Sequence, residues 1–329
     1  MSVENSLVDP FERLLRACSA PAQVRTIDQG GATNVMWRQL EESGFLDALL
    51  PVHAGGAGLA LRDVFPLIEL SGIYALPLPF AQTMLARAIL HAAGESIPHE
   101  AIVLAHGKID PSDGSIRCGQ TAQAMTAHWA LVGVRNKAIL LPLAEARRDP
   151  VASFASSALL TWSLGSAKQE TIACLSELRV VQACLLAAQM SGAMASVLRM
   201  TLTYANERSQ FGRAIGKFQA IQHQIAVMAE QTALAHSAAR IGSDANGFLP
   251  DTRKASIAKA VTSEVAASIC AMGHAVHGAI GVTEDFDLQL FTRRLHEWRL
   301  CAGSEAYWNH RIGAELLATE SQRVLDFIR

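Results

Sequence analysis

Paired cysteines at metal or redox spacing are missing. Cys18, Cys118, Cys174, Cys184, Cys270 and Cys301 stand far apart and no CxxC occurs. That excludes a zinc ribbon and a thioredoxin-type motif, and the six read as reduced, mostly buried small hydrophobes. The 11 histidines show no metal-ligand spacing; His274 and His277 are close, but no thiolate or carboxylate set completes a site. Aromatics are only 6% and are not interleaved with arginine, as a single-stranded nucleic-acid platform requires. Neither sign of charge dominates, with 28 Lys+Arg against 30 Asp+Glu, so neither nucleic acid nor an anionic membrane is the expected partner. No run of 18 or more uninterrupted apolar residues occurs, so no membrane span is expected. Glu4, Asp9 and Glu12 precede the first basic residue, unlike a secretory leader, and the expectation is a cytoplasmic protein. Neither a GxSxG elbow nor HExxH occurs.

What is present is apolar surface. Half of the 329 residues are hydrophobic, enough for a large core and about two or three domains. Residues 1–97 read as a helical domain: Phe11, Leu14, Leu15 and Cys18 recur at helical spacing, and Gly44 is a helix stop. Helices are expected over 61–74 and 80–93, broken by Pro77 and Pro79. Residues 98–175 change character. Ala101–Leu104, Trp129–Val132 and Ala138–Leu141 are short apolar runs between turn signals such as Asp113-Gly114 and Arg135-Asn136. They predict a small antiparallel sheet or barrel rather than βαβ units. From 176 to 329 long apolar stripes return: Val180 to Leu198; Ile221, Ile225, Met228 and Leu234; Ile257 to Val276. They predict a C-terminal helical bundle.

Gly55-Gly56-Ala57-Gly58 could cradle a phosphate, but Leu61 stands where GxGxxG needs its last glycine and no P-loop Lys-Ser/Thr follows. A tight turn between helices is the favoured reading. Two other segments carry more information. Residues 208–222, RSQFGRAIGKFQAIQ, offer a cation, an aromatic ring and an amide around a glycine turn. Arg208 suits a pyrophosphate, Phe211 a ring stack and Gln219 a hydrogen bond, although an ordinary helical hairpin with surface charges would read the same way. In residues 277–294, Gly278 and Gly281 permit close backbone approach after a helix end, or simply make a turn.

Together the two segments resemble the acyl-CoA dehydrogenase family. Arg208, Phe211, Gly212, Phe218 and Gln219 match its Arg-x-x-Phe-Gly turn with the following Phe-Gln, and His277, Gly278, Gly281 and Thr283 match its His-Gly-Gly-x-Gly-x-Thr turn. The resemblance is strong over 176–318, fair over 30–95 and weak between. It implies a mostly α fold with a small β domain: N-terminal helices, a middle β-barrel or sheet, and a C-terminal four-helix bundle. It also implies FAD, an acyl-CoA substrate dehydrogenated at its α and β carbons, and an electron-transfer flavoprotein as acceptor. Arg208, Phe211, Gln219, Gly278 and Gly281 are the implied cofactor contacts.

The resemblance also shows what is missing. Ala302 stands where the family's Glu-Gly-Thr base would be, and Gln182 where other members place that Glu. Glu297 and Glu305 are nearby carboxylates, expected on solvated faces. Ala275 and Ala279 replace a Gln and a Gly of the second motif, and the middle domain lacks the segments that hold the isoalloxazine and thioester. Because the Arg208- and Phe211-type residues of the family reach the FAD of a neighbouring subunit, the expectation is a subunit without its own catalytic Glu. Its partner would be a Glu-bearing paralogue, in a hetero-oligomer acting on a bulky, steroid-type acyl-CoA. A self-sufficient homo-oligomeric dehydrogenase and a non-enzymatic structural or acyl-CoA-binding subunit are the alternatives.

Overall fold

The computed structural model describes residues 3–134, 137–151, 154–163, 171–173 and 177–318. The Arg135-Asn136 turn, Cys174 and the expected boundary at 175/176 lie outside the described residues.

Five helices come first: α1 (Val3–Cys18), α2 (Pro21–Asp28), α3 (Asn34–Glu42), α4 (Leu61–Ile73) and α5 (Phe80–Ala92). Gly44, just beyond α3, takes the left-handed conformation that stops a helix (φ 75°). A Cβ at Gly56 would lie 2.1 Å from the Leu50 carbonyl oxygen, and Gly55 and Gly58 have positive φ. Turn packing accounts for these three glycines without a phosphate.

The middle region is one seven-stranded sheet: β1 (Ile102–Ile109), β2 (Ile116–Thr121), β3 (Trp129–Val134), β4 (Lys137–Pro142), β5 (Arg147–Val151), β6 (Phe154–Trp162) and β7 (Ile172–Ala173). Its order is β5-β6-β2-β1-β3-β4-β7. The three apolar runs became β1, β3 and β4. The expected all-antiparallel arrangement needs one correction, because β1 and β3 run parallel. β2 folds back along one side of β1, and the chain then returns to lay β3 along the other side in β1's own direction. Helix α5 covers this sheet, with Phe80 through Leu90 all buried. Its polar side chains serve β1: the Leu104 N–H donates to Gln82 (2.9 Å) and the Ile102 N–H to Thr83 (2.9 Å). Pairing of this kind makes polar groups tolerable in a core.

The last part holds α6 (Leu178–Glu207), α7 (Gln219–Gly242), α8 (Thr252–His277), α9 (Leu288–Leu300) and α10 (Glu305–Ala318). A hairpin of two-residue strands, β8 (Ser209–Gln210) and β9 (Arg213–Ala214), sits between α6 and α7. α6 is central and packs on α4, α7, α8 and α9, while α10 lies on α8. Gly72 and Gly192 set the α4–α6 crossing. A Cβ on either would come within about 2 Å of a carbonyl oxygen on the other helix, Gln189 or Glu69. α7 departs from the predicted stripe: it buries Met228, Thr232, Ala235 and Ala239, whereas Leu234 is exposed. Windows in α6 and in Thr252–Val282 are long and apolar enough to cross a bilayer by length and composition alone, although neither is an uninterrupted apolar run. The α6 window is 94% buried, so its apolarity is spent on the core; the second is 44% buried.

Candidate functional site

The segments 208–222 and 277–294 are about 60 residues apart in sequence and meet at one end of the bundle. α6 ends when the Arg208 N–H donates to the Tyr204 carbonyl (2.8 Å), and the Ile215 N–H then closes the hairpin onto the Arg208 carbonyl (2.8 Å). At the hairpin tip Phe211 has φ 52° and is 91% exposed. A left-handed, solvent-facing phenylalanine costs about 1–2 kcal/mol and gains no burial in return. Phe218 presents its ring edge-on at 6.2 Å, and the Arg213 guanidinium lies over Phe218 at 4.1 Å.

Opposite, α8 ends at His277. Gly278 follows with φ 63° and ψ −144°, a conformation suited to glycine, and a Cβ there would meet nothing within 4 Å. Between the two walls lies a groove of about 570 Å³, within the range of small-molecule sites. Tyr204, Arg208, Gln210, Phe211, Ile215 and Phe218 form one side, and the chain from Ala275 to Ile280 the other. The His277 ring stacks on Tyr204 (4.6 Å between centroids) and tilts against Phe286 (5.0 Å). Its Nδ1 faces the Gly273 carbonyl at 2.7 Å and must donate to it, which leaves Nε2 a buried acceptor without a partner. Burial depresses the imidazole's basicity, favouring the neutral ring. An exposed cation, an exposed ring and open glycine backbone around one groove suit a phosphate-bearing ligand with an aromatic ring.

Three of the five expected contacts, Arg208, Phe211 and Gly278, line this groove. Gln219 is exposed at the start of α7 and is not part of the lining. Gly281 is buried beneath it, where a Cβ would stand 2.9 Å from His277 Cβ and 3.1 Å from Leu288; close packing already requires glycine there. Tyr204 was not anticipated. Its signal was its place one helical turn before Arg208 on the same face.

The two positions at which the sequence resemblance looks for a base, Gln182 and Ala302, are filled differently. Gln182 is buried, and its amide donates to the Leu104 carbonyl at 2.8 Å, tying α6 to β1. The partly buried imidazole of His106 stands against it, its pKa pushed down to about 4 chiefly by desolvation. Ala302 is buried with φ 58° in the turn between α9 and α10. That turn is held from below by Lys259, fully buried, whose ammonium donates to Ser263 Oγ (2.8 Å) and to the Arg299 and Gly303 carbonyls (3.0 Å each). Burial brings Lys259 down to about 7.

Neither Glu305 nor Glu297 lies on a freely solvated face, and both expectations are corrected. Glu305 is paired with Arg299, which holds its carboxyl below the usual range. Glu297 is only 4% exposed and accepts from the hydroxyls of Ser156 (3.2 Å) and Ser157. Burial raises its pKa, but the space beside it is about 20 Å³, room for a water and not for a thioester. A general base needs both a suitable pKa and reach to the substrate. Glu305 lacks the first and Glu297 the second.

Residues 176–317 match the family model described as the acyl-CoA dehydrogenase C-terminal domain. Over 84% of its length the chain is 29% identical to a Mycobacterium tuberculosis protein named acyl-CoA dehydrogenase IpdE2, covering 86% of that protein. Its fold is similar to that of a chain in the ChsE4-ChsE5 complex from the same organism, with TM-score 0.78, 18% identity, and 98% and 99% of the two chains covered. It is also similar to a variant of the Tcur3481-Tcur3483 steroid ACAD, with TM-score 0.77, 23% identity, and 96% and 99% covered.

Proposed function

From the match of residues 176–317 to the acyl-CoA dehydrogenase C-terminal domain, we propose that the chain belongs to the acyl-CoA dehydrogenase family and is the subunit without the catalytic Glu in a hetero-oligomeric, FAD-dependent acyl-CoA dehydrogenase. The substrate proposed is a bulky, steroid-type acyl-CoA, and the other subunit a Glu-bearing paralogue. One observation carries this. Arg208, Phe211 and Gly278 converge on an open groove, whereas both base positions, Gln182 and Ala302, are buried and carry no carboxylate. The relative named acyl-CoA dehydrogenase and the neighbours described as a two-protein complex and a steroid ACAD support the same reading.

The groove fits the ADP end of FAD. It offers a guanidinium for the pyrophosphate, a ring at its lip, an open approach at Gly278 and a buried acceptor at His277 Nε2. FAD, when bound, supplies the hydride acceptor. This chain's residues bind and orient its nucleotide half, and the α proton of the thioester goes to the partner's carboxylate. An electron-transfer flavoprotein is the proposed oxidant of the reduced enzyme.

The test is flavin content. Purified alone, the folded chain is expected to carry little FAD; co-expressed with a Glu-bearing paralogue, the complex should carry it in near-stoichiometric amount. In that complex Arg208→Ala should weaken FAD retention by about tenfold or more, the scale of a lost charge-assisted contact. Near-stoichiometric FAD and turnover in the chain alone would favour the homo-oligomeric enzyme. A folded chain that acquires no flavin with any partner would favour a structural role.

A further inference from the structure

Glu297 has no part in the function proposed above, yet it occupies an unusual position. It lies on α9, in the bundle, and its carboxyl is buried against β6, in the middle sheet. The two hydroxyls it accepts, from Ser156 and Ser157, are consecutive on that strand. One carboxyl therefore joins two parts of the fold that are far apart in sequence.

The charges around it offer little compensation. Arg294, three residues earlier on α9, favours its ionisation, but that guanidinium already makes two hydrogen bonds to Asp28 at the end of α2 (2.8 and 2.9 Å). Asp28 opposes ionisation. Arg293 also lines the small cavity beside the carboxyl. From the α9–α10 turn the neutral, buried Cys301 thiol faces both Ser157 and Glu297. Beyond it, from α8, Lys259 makes three hydrogen bonds of its own. A buried carboxylate with no cation of its own costs more than two hydroxyl hydrogen bonds return, whereas a neutral carboxylic acid in the same place keeps both bonds.

We propose that Glu297 is a protonation-controlled latch between the middle sheet and the helical bundle: as a carboxylic acid it closes the β6–α9 contact, and as a carboxylate it loosens it. Burial raises its pKa above the ordinary carboxyl range. The folded protein therefore keeps the proton to higher pH than the unfolded chain. The latch is fully closed below the unfolded pKa, and its contribution is lost as pH rises through the folded one.

Glu297→Gln tests this, because the amide oxygen still accepts from both serines but cannot ionise. The Tm of the wild type minus that of Glu297→Gln, followed from about pH 5 to about pH 9, should fall by about 3 °C or more. A difference that stays flat, or rises, overturns the latch. Should the variant fail to fold, the wild type answers alone. The infrared carbonyl band of a protonated buried carboxyl should be present at the acid end and vanish as pH rises, in step with a falling Tm; absence of that band at the acid end overturns the proposal as well. Neither measurement depends on flavin.

Discussion

At Phe211 stability and the proposed flavin contact pull against each other. Its left-handed backbone costs about 1–2 kcal/mol, and its ring contributes almost no burial. Phe211→Gly removes the strain and the ring together. The variant should melt slightly higher, and its complex should retain less flavin. A variant less stable than wild type, or one that keeps its flavin, would show that the strain serves no ligand. Gly303 is the reverse case. It has φ +103°, and a Cβ there would sit 2.6 Å from the Tyr307 ring. Gly303→Ala should destabilise by about 2 kcal/mol, read as a lower denaturation midpoint. Motif spacing in the sequence singled out Arg208, Phe211 and Gly278, which line one groove. It did not reveal that Gly281 serves packing or that Glu297 is buried, since both facts depend on neighbours from distant segments.

Among the elements, the α4–α6 crossing is the tightest. Gly72 and Gly192 let the two helices approach until backbone meets backbone, and Ser191 then donates to Glu69 (2.6 Å) and Ser196 to the Ile73 carbonyl (2.8 Å). Gly192→Ala cannot be accommodated by a side-chain shift, because the obstacle is the Glu69 carbonyl. It should cost about 3 kcal/mol or leave the chain insoluble. Gly313→Ala, on α10 with nothing within 4 Å of its Cβ, is the control. It should stabilise by about 0.5–1 kcal/mol through helix propensity alone. Helix existence and type were legible in the sequence because apolar residues recur at 3.6-residue spacing over long segments. The parallel β1–β3 pair was not, because alternation within a strand says nothing about which side of the sheet the next strand joins. α7 misled for a related reason: Leu234 fits an apolar stripe, but the helix turns Met228, Thr232, Ala235 and Ala239 inward.

At the scale of the whole molecule, several polar side chains join the N-terminal helices to the bundle, among them Arg25 with Asp287, Arg294 with Asp28 and Ser191 with Glu69. His236 on α7 bonds Glu69 on α4 (2.7 Å), with the Phe65 ring edge beside it. The carboxylate raises the histidine's pKa. A raised folded-state pKa means that the pair's stabilisation is complete below about pH 6.5 and is lost as pH rises through the folded value. The wild-type Tm should therefore decline over that interval, and His236→Gln should decline less. Equal slopes would mean that the pair is open in solution. The histidine is about half exposed, so the effect should be small. It acts in the same direction as ionisation of Glu297, and comparison with Glu297→Gln cancels it. The flavin test also belongs at this scale, since a groove that held only half a cofactor would function only in an assembly.

By itself the sequence determined the helical, β, helical order, the resemblance to the acyl-CoA dehydrogenase family, and that positions 182 and 302 carry no carboxylate. Those follow from local periodicity, turn residues and motif spacing, which act over a few to a few tens of residues. Tertiary structure alone decided that the turns at 208–218 and 275–280 share one groove. It also decided that Gln182 is spent on a strand carbonyl, and that Glu305 is an ion-pair member while Glu297 is walled in. Each of these depends on which distant segment lies opposite. That is set by packing of the whole core, and no short stretch of chain encodes it.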